Sequence, residues 1–249
     1  MRHRVLGPYS LGALALVPLG QVHLGFGIAG TAIATVTWII ATRIGDGATV
    51  RIATMTLLIA VIGASGAPFG IWFVIGLMWL TSRWWSVLTP DQGWVPAGHA
   101  TPLVRWLTVL TVIGAGIALT FWALRTDQFA EATVDLADMT SRLPLGVVAI
   151  SIVVFVIANS ITEEVAYRGI AFEAAAAVFP TFYAVVAQAI AFGTLHVAGF
   201  PSGVIGVGLA LGYGLVLGTI RQITGGLRFP IIAHMAADAT IAVLVVVLI

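Results

Sequence analysis

Hydrophobic positions in this chain neither alternate nor mark one stripe of a helix. They run on in blocks, over residues 5–22, 24–42, 50–64, 68–88, 104–124, 144–178, 181–198, 203–221 and 229–249. A membrane-spanning helix needs roughly 20 mostly apolar residues, and these blocks are of that order. The third block is short and reads as half of a hairpin with the fourth, around "GASGAPFG". The pattern therefore predicts an all-α fold, a polytopic transmembrane bundle of about eight helices. Two polar stretches interrupt it. "SVLTPDQGWVPAGHATP" carries three prolines and reads as a loop. "RTDQFAEATVDLADMTSR" places Asp127, Glu131, Asp135 and Asp138 on one face of a short helix. A solvated interfacial helix is the plain reading of it, and an acidic binding surface the alternative. No internal repeat or low-complexity segment marks a second domain, so residues 1–249 are read as one membrane domain.

Composition sharpens this picture. Hydrophobic residues make up 60% of the chain and charged ones 8%, with a mean hydropathy of +1.08. Soluble domains hold about 45–50% apolar and about 25% charged residues, so a water-soluble core could not hide this much apolar surface. Cysteine is absent, which excludes disulfides, a thiol nucleophile and thiolate metal sites. The net charge of +1 points to no nucleic acid partner. All eleven basic residues are arginine, a bias expected of a GC-rich bacterial genome, so the expected location is a bacterial cytoplasmic membrane. The start "MRHRVLGPYSLGALALV" has the basic head and apolar run of a signal peptide but is read as a first membrane helix. By the positive-inside rule the acidic stretch belongs outside, with Arg2, Arg4, Arg43, Arg51, Arg83 and Arg105 inside if the crossings are counted correctly. Gly208 with Gly212, and Gly214 with Gly218, are small residues four apart that suit close helix packing within the monomer, or a dimer face.

Against this background "ITEEVAYRGIAF" stands out, with three charges in six residues. Ionisable groups inside a membrane cost at least ~2.5–3.5 kcal/mol each near its centre, so they are functional candidates by default. The interior set is Glu163, Glu164, Arg168, Glu173, His196, His234 and Asp238, with His23 at a turn. Glu164 and Arg168 are four apart and pair on one helix face. Glu163 points about 100° away and is expected to lack a partner inside its own helix, which suits a general base or acid. "VFPTF" marks a turn near 179–180, and Glu163 and His196 lie about sixteen residues on either side of it. An antiparallel hairpin would bring the two level. His234 and Asp238 are four apart, so the carboxylate could orient the imidazole or share a metal with it. Asn159 and Thr162 are candidate supporting donors, Glu173 and His23 structural residues. Simple alternation of spans leaves a conflict, because it puts His196 and His234 near opposite membrane faces unless an intervening helix is short, tilted or re-entrant.

The three clusters "EEVAYR", "FGTLH" and "HMAAD", in that order on late apolar helices, resemble the motifs of the CPBP (ABI) intramembrane proteases, the family of the type II CAAX prenyl endopeptidases. The resemblance covers about residues 145–245 as a catalytic core, and leaves 1–140 as N-terminal helices without a recognisable motif. It implies that Glu163 activates water together with His196. Glu164 and Arg168 would complete and brace the first motif. His234 and the residue at 238 would stabilise an oxyanion or hold the site together. The family pattern allows Asn or Asp at the last position. Here Asp238, if ionised, cannot donate to an oxyanion, but could accept from His234 and fix its tautomer.

The expected function is hydrolysis of a peptide bond in a membrane-associated protein or peptide. That substrate and the lipid bilayer are the expected partners, and nucleic acid is no partner. No cofactor is expected. Zinc is the possible exception, with Glu163, His196, His234 and Asp238 as its ligands; the spacing lacks the two-histidine helix motif of soluble zinc proteases. Two other classes compete. A scaffold or chaperone of the same family would need none of the catalytic set, and the trio is complete. A transporter with a buried proton relay would carry internal pseudo-symmetry, and none is visible.

Overall fold

The computed structural model describes residues 6–64 and 70–247, with the backbone alone at 130, 131, 133 and 135. The described residues are mainly helical, without strands. The helices are α1 (Gly7–Leu19), α2 (Leu24–Ile44), α3 (Gly47–Ala64), α4 (Gly70–Thr81), α5 (Pro102–Ala123), α6 (Gln128–Arg142), α7 (Leu145–Glu164), α8 (Phe172–Ala176), α9 (Thr181–Leu195), α10 (Gly203–Thr224) and α11 (Arg228–Val247). A π-helical turn, Val165–Ala171, joins α7 to α8, so Leu145–Ala176 is one 32-residue rod.

Among the described residues six spans are long and apolar enough to cross a membrane: α2, α3, α5, the α7–α8 rod, α10 and α11. Three apolar helices are shorter, α1, α4 and α9. The third block, expected to be short, is a full 18-residue helix; the short one is its neighbour α4, at 12 residues, and the turn expected between them lies at 65–69, outside the described residues. The early end of α4 sends 82–101 out as a long connection, with one 3₁₀ turn at Ser86–Leu88. Six such spans in a chain this apolar mark an integral membrane protein.

Successive helices run up and down, and each end of the bundle gathers its own connections. At one end the 82–101 connection lies across the bundle as a strap. Arg51, at the start of α3, donates to the Val87 and Thr89 carbonyls (both 3.2 Å) and pairs with Asp91 (3.0 Å) and with Glu173 of α8 (3.3 Å). The Asp91 amide donates to Glu173 (2.8 Å). Beyond it, Leu227 N–H donates to Pro96 O and His99 N–H to Thr224 O, both at 2.7 Å. Gly226 meets the strap backbone at Gly98 so closely that a Cβ there would collide with it. Glu173 is thus a structural anchor, as its position outside the motifs suggested.

At the opposite end lie the α1–α2 turn, the end of α3, the start of α4, the loop 196–202 and the polar helix α6. His23 accepts from the Gly25 amide and caps α2, a structural role. Gln128, at the start of α6, holds Ser202 through both its amide groups (2.8 and 3.3 Å). Trp122, Phe129 and Phe200 stack mutually at 5.1–5.3 Å. The short polar helix predicted from the acidic stretch is therefore present, tied to the loop that follows α9. Its Asp138 is exposed and pairs with Arg142 (2.8 Å).

The short helices create internal space. A 15-residue α9 rises only about 22 Å, less than a ~30 Å hydrocarbon core, so its end falls inside the bilayer thickness. A cavity of about 1480 Å³ fills the room left there. Its walls are the closing turns of α1, α3 and α9, the opening turns of α2 and α4, and the inner faces of α7 and α11. The motif-free N-terminal helices form the far wall.

Candidate active site

The site is built on the α7–α8 rod where it changes pitch. Glu163 and Glu164 close α7, and Arg168 lies in the π turn. A π turn carries an extra residue and frees main-chain groups to bond outward; such turns are frequent at functional sites. Here the Arg168 carbonyl accepts from Arg221 Nε of α10 (3.2 Å). Arg221 also donates through Nη2 to Gln92 of the strap (2.8 Å). One buried arginine thereby links the pitch change to the sealed end of the bundle.

Two layers stand on either side of the rod's axis. The inner layer is dry. Glu164 and Arg168 are both fully buried, and Arg168 Nη1 donates to Glu164 Oε1 (2.8 Å). The same oxygen takes His234 Nδ1 of α11 at 2.7 Å. A carboxylate oxygen can only accept here, so Nδ1 carries a proton and Nε2 is turned toward the cavity. Phe192 of α9 packs this layer from the far side. Arg168 stacks over its ring (4.2 Å), and both imidazoles meet its edge, His196 at 4.9 Å and His234 at 5.9 Å. The Phe-x-x-x-His spacing thus has a physical reason, because one phenyl ring fixes a guanidinium and two imidazoles.

The outer layer faces the cavity, which is lined by Glu163, His196, His234, Asp238 and Asn159. Glu163 Oε2 lies 3.6 Å from His234 Nε2, and Asp238 Oδ1 lies 3.7 Å from the same nitrogen. His196 follows the last turn of α9, and its Nδ1 is 3.1 Å from the Phe192 carbonyl. A carbonyl accepts only, so His196 Nδ1 is the donor and Nε2 keeps its lone pair. Asp238 Oδ2 accepts from Ser160 Oγ (2.8 Å) and Asn159 Nδ2 (3.3 Å), and Asn159 accepts from Trp72 Nε1 of α4 (3.3 Å).

All six residues singled out from the sequence thus meet: Glu163, Glu164, Arg168, His196, His234 and Asp238. The conflict over His196 and His234 is resolved by the shortness of α9 and by the position of His234 six residues into α11. Glu163 has its partner outside its own helix, since His234 approaches it from α11. Two details differ from expectation. The carboxylate that orients His234 is Glu164, because Asp238 Oδ1 is beyond hydrogen-bond reach and its other oxygen is taken by Ser160 and Asn159. Thr162 bonds back to the carbonyls of Ala158 and Asn159 and does not support the site. Sequence reading missed Ser160, Trp72 and Arg221. Ser160 carried a faint signal as a small polar residue one turn before Glu164; Arg221 carried none, lying outside the motifs.

A metal would need His nitrogens and carboxylates at about 2.0–2.2 Å from one point. Among the described residues no group of three or more His, Asp or Glu is arranged to hold one. Of the four ligands considered, Asp238 is committed to Ser160 and Asn159 through one oxygen, and His234 to Glu164 through one nitrogen.

No curated protein and no solved structure matches the chain. A family comparison does. Residues 145–240 match the family described as Type II CAAX prenyl endopeptidase Rce1-like, a stretch that contains all six motif residues and agrees with the resemblance read from them.

Proposed function

We propose that this protein is an intramembrane endopeptidase that hydrolyses a peptide bond of a membrane-associated protein or peptide with water activated by Glu163 and His196. The family match supports a CAAX-protease kind of function. The observation that carries the finer reading is a single cavity holding a carboxylate, an imidazole with a free Nε2 and a second imidazole oriented from behind.

In this reading a water sits between Glu163 and His196, and its oxygen attacks the scissile carbonyl carbon. Its proton passes to Glu163 or to His196 Nε2. The carbonyl oxygen becomes an oxyanion, met by His234 when Nε2 is protonated. The captured proton then moves to the leaving nitrogen as the C–N bond breaks, giving a carboxylic acid and an amine. Glu164 and Arg168 do not touch the substrate; they hold His234. Asp238 is a positioning residue, tied to Ser160 and Asn159, and is not a donor to the oxyanion. The route uses no metal.

The test is cleavage in native membranes by the full chain and by Glu163→Gln, with mapping of new peptide termini. Termini that appear with wild type and vanish with the variant support the reading. Wild-type turnover by Glu163→Gln would sink it. Chelation followed by zinc return tests the metal-free route separately; activity lost and then restored would overturn that part alone.

A further inference from the structure

We propose that the catalytic cavity opens on the membrane face opposite the cytosol, so that the substrate is the translocated part of a membrane-bound or exported polypeptide. The substrate half of this statement rests on the protease reading; the orientation does not.

Arginine sets the orientation of a helical membrane protein through its excess near cytosolic helix ends, while acidic residues count for little. The fold decides which arginines share an end. Arg43 closes α2 and Arg51 opens α3. Arg83 follows α4, and Arg105 lies in the first turn of α5. Arg221 closes α10 and Arg228 opens α11. All six stand at the strap end. Direct contacts confirm that these segments are level. Arg51 reaches Asp91, Arg221 reaches Gln92, and Gly7 faces Ala174 and Val178. Among the described residues only Arg125 and Arg142 lie at the other end, flanking and within the polar helix α6. Arg168 is buried in the site. Among the described residues the distribution is thus six arginines against two, and the strap end faces the cytosol.

The cavity is closed toward that end. The strap, the Glu164–Arg168 pair and the Arg221 link lie between the reacting groups and the cytosolic face. Its lining instead reaches exposed residues at the far end: Gln21 and Leu24 of the α1–α2 turn, Gly63 and Ala64 at the end of α3, and Ala198 after His196. A peptide that reaches His196 by this rim comes from the translocated side.

Because the chain has no cysteine, single cysteines report their side directly. Val22→Cys and Asp138→Cys sit at the rim end, Trp84→Cys and Val95→Cys at the strap end, and all four positions are exposed. None belongs to the site. Each full-length variant is labelled with a membrane-impermeant maleimide in intact spheroplasts and again after permeabilisation. The expected result is labelling of positions 22 and 138 from outside, and of 84 and 95 only after permeabilisation. The reverse pattern overturns the proposal, as does equal labelling of both ends from outside. The same pattern is expected in a Glu163→Gln background, so failure of the protease reading and failure of the orientation are separate results.

Discussion

Glu163 and Glu164 are neighbours in the chain, yet they belong to two different regions of the molecule. Glu164 sits in a sealed layer, fully buried, with Arg168 and His234 on one of its oxygens. Glu163 faces a cavity of about 1480 Å³ and has one imidazole at 3.6 Å. One step along a helix turns a side chain by about 100°, enough to move it from a dry brace to a wet wall. In lipid, as in water, breaking a buried ion pair leaves an uncompensated charge, whereas removing a cavity-facing charge leaves none. The sealed layer should therefore govern stability and the open layer chemistry.

The sharpest test of that division is loss of chemistry without loss of fold. Glu163→Gln and His196→Ala should each lower cleavage by roughly 10²–10⁴-fold, the range of general acid–base catalysis. The double variant should be little worse than either single one, because the members of one catalytic unit are not additive. Thermal unfolding in detergent should be nearly unchanged in all three. A large drop in unfolding temperature for Glu163→Gln would erase the distinction between the layers.

Glu164→Ala should do the opposite. It leaves Arg168 buried without its partner, at a cost of about 3–5 kcal/mol. The unfolding temperature should fall steeply, and activity should fall with it. Stability equal to wild type would mean that the inner layer holds nothing together.

Arg221→Ala is a milder cut into the same layer. It frees the Arg168 carbonyl and releases Gln92 of the strap, worth about 1–3 kcal/mol if the groups are left unsatisfied. Arg221→Lys can replace one of the two bonds and should recover part of the loss. Unfolding curves for both variants check this, and equal losses would show that only the charge matters.

Asp238→Asn should have the smallest effect. Asn keeps one acceptor oxygen for Ser160 and Asn159, so the change in stability should stay near or below about 1 kcal/mol. Activity should survive within about tenfold. A collapse of activity with stability intact would move Asp238 from a positioning role into the reaction itself.

How much of this was legible beforehand depended on the range of the interaction. Glu164 with Arg168, an i, i+4 pair, was readable from spacing alone because helix geometry is local. So were the polar helix α6 and the strap's prolines. The partners of His234 were not readable, because two carboxylates compete for it and only packing chooses. Asp238 is closer in sequence, but Ser160 and Asn159 already occupy one of its oxygens, so Glu164, seventy residues away, takes the imidazole. Arg221 was invisible for a related reason: the carbonyl it binds belongs to a π turn, a change of pitch that apolar periodicity does not announce.

The sequence by itself determined that this chain lives in a membrane, because 60% apolar residues leave no other way to satisfy water. It also singled out six residues as candidates for the site, because charge in lipid is too costly to be incidental. Only the tertiary structure decided that α9 stops short, that a cavity forms beneath it, and that the cavity opens away from the arginine-rich end. Those outcomes depend on where helices end relative to one another. Hydrophobic patterning says what each helix buries, not the depth at which its neighbours stop.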